Sequence, residues 1–290
     1  MSKIAILTDS SCDIPQEMAE KYGIDIMSFH ILLDDVDYVE RESCTNTEFY
    51  DKMRLSKGVP STAAITPIQF CEKYCQYVDE GYTDVIHVPI NKSGSSTYNN
   101  ALMAQGMLRE ERPEHHMKIH LLDPHTYSMV FGWYLCEMAR KLKNGAEISH
   151  VIQEFEKQMN CMEIILGPYS LKQMKKSGRI SAAAAVMGEL MGVRPIITLI
   201  DGKTKVESKV RGDDKVIPAM IDLCKKRTEG VEDFDYMIGH TSIPQAAELE
   251  KACRKAFGKA PLVTFNLGGV VSANTGPDTL ALVYVGKARD

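Results

Sequence analysis

Residues 3–23 read KIAILTDSSCDIPQEMAEKYG, and this stretch decides the class of fold. The apolar run Lys3–Thr8 predicts a strand. Asp13 and Pro15 follow it and are typical of the N-cap and first turn of a helix, which we expect to end at Gly23. A strand followed at once by a helix is the repeating unit of a mostly parallel sheet, and the same alternation continues along the chain. We therefore expect an α/β protein.

The length of the chain predicts two structural units. Its 290 residues suit two domains, because single hydrophobic cores rarely grow far beyond the size of a typical domain. We expect an N-terminal α/β lobe over residues 1–161, built on a mostly parallel, doubly wound sheet. A C-terminal α/β lobe with a mixed sheet is expected over residues 162–290. The two-residue turn Asp201-Gly202 predicts a β-hairpin, so part of the second sheet should be antiparallel.

The composition argues against several classes of protein. The net charge of −5 and the pI near 5.9 disfavour a nucleic-acid partner, because affinity for nucleic acids comes mostly from Lys and Arg that neutralise phosphates. No apolar run approaches the roughly 18 residues of a transmembrane helix, and no signal peptide is recognisable. The eight cysteines show neither a C-x-x-C pair nor zinc-like spacing. We expect a cytoplasmic protein without a membrane span, a metal or a cofactor.

Local patterns predict several element boundaries. The segments Ile24–Leu33 and Val36–Val39 are expected to be two strands that form a hairpin at Asp34-Asp35. Two capping boxes mark helix starts, Thr45 with Glu48 and Thr66 with Gln69.

Two hydroxyl-rich segments follow predicted strands, at the edge where open α/β sheets bind ligands. Thr8–Ser11 comes after the first strand, and Ser93–Tyr98 comes after the strand that ends at Val88. The second segment stands at the predicted start of a helix, whose free N–H groups favour an anion. No Gly-Lys-Ser/Thr follows, which argues against a nucleoside triphosphate. The alternative is that these side chains only satisfy turn amides or cap the helix.

Three more features are candidates for a ligand site. The loop Pro60–Pro67 consists mostly of small residues, and the Thr62 hydroxyl in it could point into a cleft. Arg179 follows a glycine, and its guanidinium offers several fixed donors to a carboxylate or a phosphate, although an ordinary surface arginine is the alternative. The helix predicted over Ser181–Val193 combines alanines with two methionines, which suits an adaptable lipid groove. Such a helix could equally be plain core.

The segment 268–277 is predicted to be a glycine-rich loop between strands, whose backbone would approach a ligand. Flexibility alone would also explain its glycines. The histidines form no defensible metal or triad arrangement, and we interpret them as structural or exposed.

Taken together, these motifs resemble the DegV family of bacterial fatty-acid-binding proteins, and they occur in family order across essentially the whole chain. The resemblance implies two α/β lobes with one long-chain fatty acid buried between them. It also implies a role in lipid transport or fatty acid metabolism, since some members are the acyl-carrying subunit of a fatty acid kinase. The motifs are Thr8-Asp9-Ser10-Ser11, the Thr62 loop, Ser93–Tyr98, Lys175–Ser181, Arg194-Pro195-Ile196 and Asn274-Thr275-Gly276-Pro277.

The resemblance also assigns roles to single residues. It makes Thr62 and Ser95 the hydroxyl donors to the fatty-acid carboxylate, with Ser96 as the alternative to Ser95 if the register differs. Arg179 would lie near the head group, Arg211 would match a second family arginine, and the tail would run along the predicted small-residue helix. Asn274 stands where relatives commonly carry histidine. An asparagine can hydrogen-bond a carboxylate but cannot transfer a proton near neutral pH.

Three hypotheses for function follow. The first is a protein with no catalytic residue that binds one long-chain fatty acid, such as palmitate, in a tunnel between the lobes, with presentation to a fatty acid kinase subunit as an extension. The second is an enzyme that acts on a small phosphorylated or carboxylated substrate at the carboxyl ends of the strands. An interaction module without a ligand is a third alternative.

Overall fold

A computed structural model of the chain describes residues 3–178 and 192–289. The described part is a mixed α/β fold with three sheets. In chain order its strands are β1 (Ile4–Asp9), β2 (Ile24–Met27), β3 (His30–Leu33), β4 (Val36–Val39), β5 (Ser61–Ala63), β6 (Asp84–Val88), β7 (Lys118–Leu121), β8 (Met162–Pro168), β9 (Val193–Ile200), β10 (Lys203–Arg211), β11 (Tyr236–His240), β12 (Thr264–Asn266) and β13 (Thr279–Val285).

The helices lie between the strands, as the sequence predicts. In chain order they are α1 (Gln16–Tyr22), α2 (Asn46–Leu55), α3 (Pro67–Asp79), α4 (Thr97–Glu111), α5 (Met129–Lys143), α6 (Ile148–Met159), α7 (Lys172–Ser177), α8 (Val216–Arg227), α9 (Gln245–Phe257) and α10 (Gly269–Thr275). Both predicted capping boxes are present, at the starts of α2 and α3.

The N-terminal sheet has four parallel strands in the order β2-β1-β6-β7. Five consecutive residues of β1 are buried, from Ala5 to Asp9, which is typical of a parallel strand covered on both faces. The predicted parallel sheet is confirmed. All its strands end at one edge, and the Ser93–Tyr98 segment follows β6 there.

The predicted strand Ile24–Leu33 is wrong as a single element. It divides into β2, which joins the parallel sheet, and β3, which pairs with β4 and β5 in a separate antiparallel sheet. The predicted hairpin between β3 and β4 is confirmed. Asp34 and Asp35 have φ of 48° and 62° there. A two-residue hairpin turn whose twist matches that of its strands requires such positive φ values at both residues.

The predicted N-cap at Asp13 is also wrong. Helix α1 begins at Gln16 with Pro15 at the N-cap position, and Asp13 closes a preceding 3₁₀ turn with φ of 54°. An N-cap residue needs extended backbone, whereas Asp13 is left-handed. The Asp13 carboxylate instead accepts a hydrogen bond from Ser128 Oγ.

The second sheet has six strands in the order β10-β9-β8-β13-β11-β12 and is mostly antiparallel. Among the strand pairs that the described residues form in this sheet, β11 and β12 alone run parallel. The hairpin predicted at Asp201-Gly202 joins β9 and β10. The mixed C-terminal sheet is therefore confirmed.

One cluster of buried side chains contains residues from both large sheets. Ile6 and Ile86 come from the parallel sheet, whereas Ile164 and Ile197 come from the six-stranded sheet. Helix α5 contributes several members, including Phe131, which is fully buried. The sheets thus share a core, and the division into lobes at residues 161 and 162 stays a prediction.

Candidate functional site

A cavity of about 170 Å³ lies among residues from the parallel sheet, the six-stranded sheet and the connecting loops. A single water needs only about 10–15 Å³ by the same kind of measure, so this space suits a larger molecule. The lining is mostly apolar, with hydroxyl and amide groups among it. It consists of Phe29, Thr62, Ala64, Ile90, Gly94, Ser95, Ser96, Tyr127, Ser128, Val130, Ile164, Leu166, Leu199, Phe265, Leu267, Val270, Val271, Asn274, Thr275, Ala281 and Val283.

One apolar wall of the cavity is a face of the six-stranded sheet. Ile164 and Leu166 are two residues apart on β8, so their side chains point to the same face. The register places Val283 opposite Ile164, Ala281 opposite Leu166, and Leu199 opposite Ile164 on the other side. These five side chains therefore form one continuous apolar surface, against which a hydrocarbon chain could lie.

Polar side chains reach the same cavity from three separate parts of the chain. Thr62 comes from β5, Ser95 and Ser96 immediately precede α4, and Asn274 and Thr275 end α10. The structure therefore brings together four of the six predicted ligand residues, Thr62, Ser95, Ser96 and Asn274. Their role in binding stays a prediction.

The serine segment is shaped by the start of α4. Ser95 Oγ accepts a hydrogen bond from Thr97 N at 3.2 Å and lies 2.8 Å from Thr97 Oγ1. Ser95 thus satisfies a turn amide just before α4, and it can still donate its own proton if Thr97 Oγ1 is the donor between the two hydroxyls. Ser96 is exposed, and its side chain makes no cap hydrogen bond. Both hydroxyls can therefore serve a ligand.

The predicted glycine-rich loop at 268–277 is wrong, because most of it is helix α10. Asn274 Nδ2 donates to Val270 O at 2.8 Å, one turn earlier in this helix. One amide proton of Asn274 is therefore used inside the helix, and the second can reach a ligand oxygen.

Thr275 is a candidate that the sequence reasoning did not single out. It is buried, it lines the cavity, and its Oγ1 finds no hydrogen-bond partner among residues 3–178 and 192–289. A buried hydroxyl without a partner is unfavourable by about 1–3 kcal/mol, so a ligand oxygen would satisfy it. The motif Asn274-Thr275-Gly276-Pro277 contained the signal, but burial of a hydroxyl cannot be seen in a sequence.

The two predicted arginines have different outcomes. Arg179 lies outside the described residues, as does most of the helix predicted over Ser181–Val193. Val193 itself begins strand β9. Arg211 ends β10, is exposed, pairs with Val193 across the hairpin, and does not line the cavity.

The Thr8–Ser11 segment supports the structural alternative. Asp9 is fully buried and accepts hydrogen bonds from Ser11 N at 3.1 Å and Ile90 N at 2.6 Å. Burial raises the pKa of Asp9 to about 6, against the lowering effect of these bonds. Asp9 therefore ties β1 to the segment after β6, and neither Asp9 nor Ser11 lines the cavity.

Two buried carboxyl groups hydrogen-bond to residues that line the cavity. Glu40 Oε1 accepts a hydrogen bond from Val270 N at 2.8 Å, and Asp13 accepts one from Ser128 Oγ. Burial raises the pKa of Glu40 to about 7. It also raises the pKa of Asp13 well above its ordinary value, and the neighbouring Glu40 adds to this shift. Val270 and Ser128 both line the cavity, so these carboxyl groups position its wall.

The tip of the β9–β10 hairpin packs against the loop that leads to the serines. Gly202 has φ of 70°, and a Cβ there would clash with Asn91 Nδ2 and Ser93 Oγ. His125 Nδ1 lies 3.0 Å from Asp201 Oδ1 across the same contact. The hairpin therefore holds the Asn91–Ser96 loop in place.

Two features are absent from the part of the chain that the structure describes. Within residues 3–178 and 192–289, no group of three or more His, Cys, Asp or Glu side chains could hold a metal ion. In the same residues, no helix has the length and the apolar character needed to cross a bilayer.

Comparisons with known proteins agree with the fold. A DegV domain-containing protein of Clostridium perfringens is 28% identical over 289 residues, which is 98% of this chain and 99% of the relative. A stearic-acid-binding protein from Eubacterium ventriosum has a structure with a TM-score of 0.89, 22% identity and 99% coverage of both chains. A DegV family protein from Thermus thermophilus, described with fatty acid binding, has a TM-score of 0.85 and 23% identity, and the match covers 98% of this chain and 100% of that one.

The family model described as "Uncharacterised protein, DegV family" matches residues 3–287. That match extends over both large sheets and every residue that lines the cavity. The chain belongs to the DegV family.

Proposed function

We propose that this protein binds one long-chain fatty acid, such as palmitate, in the cavity. The carboxylate faces Thr62, Ser95, Ser96, Asn274 and Thr275, and the tail lies on the apolar face formed by β8, β9 and β13. One observation carries the proposal: a mostly apolar cavity has separate hydroxyl groups converging on it, including the unsatisfied hydroxyl of Thr275.

The tail and the head group of such a ligand contribute differently to the free energy of binding. Each buried methylene contributes about 0.8 kcal/mol before the costs of binding, whereas a hydrogen bond to the charged head contributes about 1.5–3 kcal/mol. A long tail therefore dominates affinity, and the hydroxyl groups fix the orientation. A short polar substrate would leave the apolar wall unfilled, so this lining does not favour the enzyme alternative.

The solved structures of similar fold support the same ligand class. The proteins from Eubacterium ventriosum and Thermus thermophilus are described as binding stearic acid and fatty acid, respectively. The cavity draws its lining from residues on both sides of the proposed lobe boundary at 161 and 162, which supports a tunnel between two lobes.

Arg179 remains part of the proposed head-group site. It follows α7 by two residues, and α7 lies beside the polar part of the cavity, because Gln173 sits 3.3 Å from where a Cβ of Gly276 would be. Arg211 is proposed only as a peripheral residue, since it is exposed at the end of β10.

The proposed role is lipid transport or fatty acid metabolism in the cytoplasm, with presentation of the acyl group to a kinase subunit as one form of it. No residue of this chain is assigned a catalytic role. Asn274, where the family resemblance implies a histidine, offers no group that titrates near neutral pH.

Native mass spectrometry of the purified protein, followed by extraction and identification of any bound lipid, tests this proposal. We expect one fatty acid per chain, which leaves after delipidation and returns when palmitate is added. A protein that carries no acid and takes up none after delipidation would refute the proposal.

A further inference from the structure

A second, open cleft lies next to the ligand cavity. It has a volume of about 670 Å³, and most of the residues that line it are polar, including Asp13, Glu40, Glu42 and Glu48. Of the residues that the structure describes, Phe265 alone lines both this cleft and the cavity. Phe265 therefore forms part of the wall between the ligand cavity and an open cleft that carries several carboxyl groups.

The ring is held in place by the edge of the six-stranded sheet. Phe265 pairs with Gly239 across β12 and β11. A Cβ on Gly239 would lie 2.9 Å from Phe265 Cζ and 3.1 Å from Leu267 Cδ2, so the glycine leaves the space that the ring occupies. Phe265 is only 6% exposed.

Elsewhere in this wall, hydrogen bonds link residues that line the cavity to residues that line the cleft. Ser128 faces the cavity and donates to Asp13, which faces the cleft. Val270 faces the cavity, and its amide donates to Glu40 on the cleft side. Replacing Phe265 would thus change the wall without removing either bond.

Helix α10 shows which end of the cavity Phe265 closes. The helix lines the cavity from Val270 to Thr275, and its seven residues span about 10 Å. Phe265 and Leu267 precede the first turn, whereas Asn274 and Thr275 belong to the last. The ring therefore lies toward the start of α10, opposite the end of the helix that carries Asn274 and Thr275.

We propose that Phe265 ends the acyl tunnel and sets the upper limit of chain length. This inference rests on the proposed function, because it requires a fatty acid with its head at the Thr275 end. The methyl end of the tail stops at the ring, and a longer acid must push the ring toward the open cleft.

The test measures the affinities of delipidated full-length protein for myristate, palmitate, stearate and arachidate. In Phe265→Ala, the acids too long for the wild type should gain affinity relative to palmitate by about fourfold for each additional methylene that becomes buried. In Phe265→Trp, the preference should move to shorter acids. Phe265→Leu, a milder change, should follow the alanine variant.

Phe155→Ala is the matched control, because Phe155 is 3% exposed, belongs to the same buried cluster and does not line the cavity. It should leave the order of affinities unchanged. The inference is overturned if Phe265→Ala and Phe265→Trp keep the wild-type order of chain lengths while still binding acids. A wild type that binds none of the four acids would instead defeat the proposed function.

Discussion

Glu40 Oε1 accepts a hydrogen bond from the backbone amide of Val270 at 2.8 Å, although the two residues are 230 positions apart in the chain. Glu40 is 6% exposed, and Val270 lies in the first turn of α10. A buried carboxyl group of the N-terminal half thereby satisfies an amide that a helix start leaves free. This contact fixes the helix that borders the ligand cavity.

The raised pKa of Glu40 predicts a pH dependence of stability. Burial raises this pKa from an ordinary 4.5 to about 7 in the folded protein, so the folded state favours the protonated form. The stability that buried, protonated Glu40 contributes is therefore present in full below pH 4.5, and it is lost as pH rises through about 7. A shift of this size corresponds to about 3 kcal/mol at most.

Glu40→Gln should remove this dependence, since glutamine is neutral and keeps an acceptor for Val270 N. The free energy of unfolding, measured with urea between pH 4.5 and 8, should therefore rise in the variant relative to wild type as pH increases. Glu42→Gln, at an exposed neighbour, is the control. An unchanged difference between Glu40→Gln and wild type across this range would contradict the prediction.

Thr275→Val should separate binding from folding. The substitution keeps the shape of the side chain and removes a buried hydroxyl that has no hydrogen-bond partner within the described ranges. The ligand-free protein should therefore unfold at the same or a slightly higher temperature, while affinity for palmitate should fall roughly tenfold or more. Calorimetric unfolding and a binding titration on one preparation measure both. Unchanged affinity would remove Thr275 from the site.

Thr62→Ala and Ser95→Ala should each weaken palmitate binding by about tenfold and leave the fold intact, because each removes one donor to the carboxylate. Ser149→Ala, on an exposed turn of α6, is a matched control for the serine change. The double variant should bind more weakly than either single one. If both single variants bind as tightly as the control, these hydroxyls do not hold the head group.

Gly202→Ala should displace the Asn91–Ser96 loop as well as strain the β9–β10 hairpin. The position combines φ of 70° with a clash against Asn91 and Ser93. Gly258 is the matched control, since its φ is 73° and a Cβ there would have nothing within 4 Å. Gly258→Ala should lose only about 1–2 kcal/mol of stability from backbone strain. Gly202→Ala should lose more stability and also bind palmitate more weakly, and equal effects of the two variants would argue against the docking role.

Asn274→His tests the link to phosphoryl transfer. If a kinase subunit requires a titratable group at this position, the wild type should support acyl phosphate formation poorly, and the variant should support it better at matched lipid loading. Full turnover with the wild type would contradict the interpretation of this protein as a carrier that supports phosphoryl transfer poorly.

Local chemistry made several parts of the fold predictable. The Asp34-Asp35 and Asp201-Gly202 turns and both capping boxes depend on neighbouring residues only, and each is present in the structure. The strand predicted over Ile24–Leu33 failed because an apolar run does not show where the chain leaves one sheet for another.

Long-range contacts account for what the sequence did not predict. Helix α10 begins with glycines and has little intrinsic tendency to be helical, yet Glu40 satisfies the amide of Val270 in its first turn. The grouping of Thr62, Ser95 and Asn274 came from the family resemblance. Thr275 and Phe265 were missed because burial and shared walls arise only when distant segments pack together.

The central claim is that a fatty acid lies in this cavity with its carboxylate among the hydroxyl groups. A crystal structure of the protein loaded with palmitate tests it most directly. We predict continuous density along Ile164, Leu166 and Val283, with one carboxylate oxygen within about 3 Å of the hydroxyl of Thr62, Ser95 or Thr275. An acid bound elsewhere, or bound here with its carboxylate at Phe265, would contradict the account.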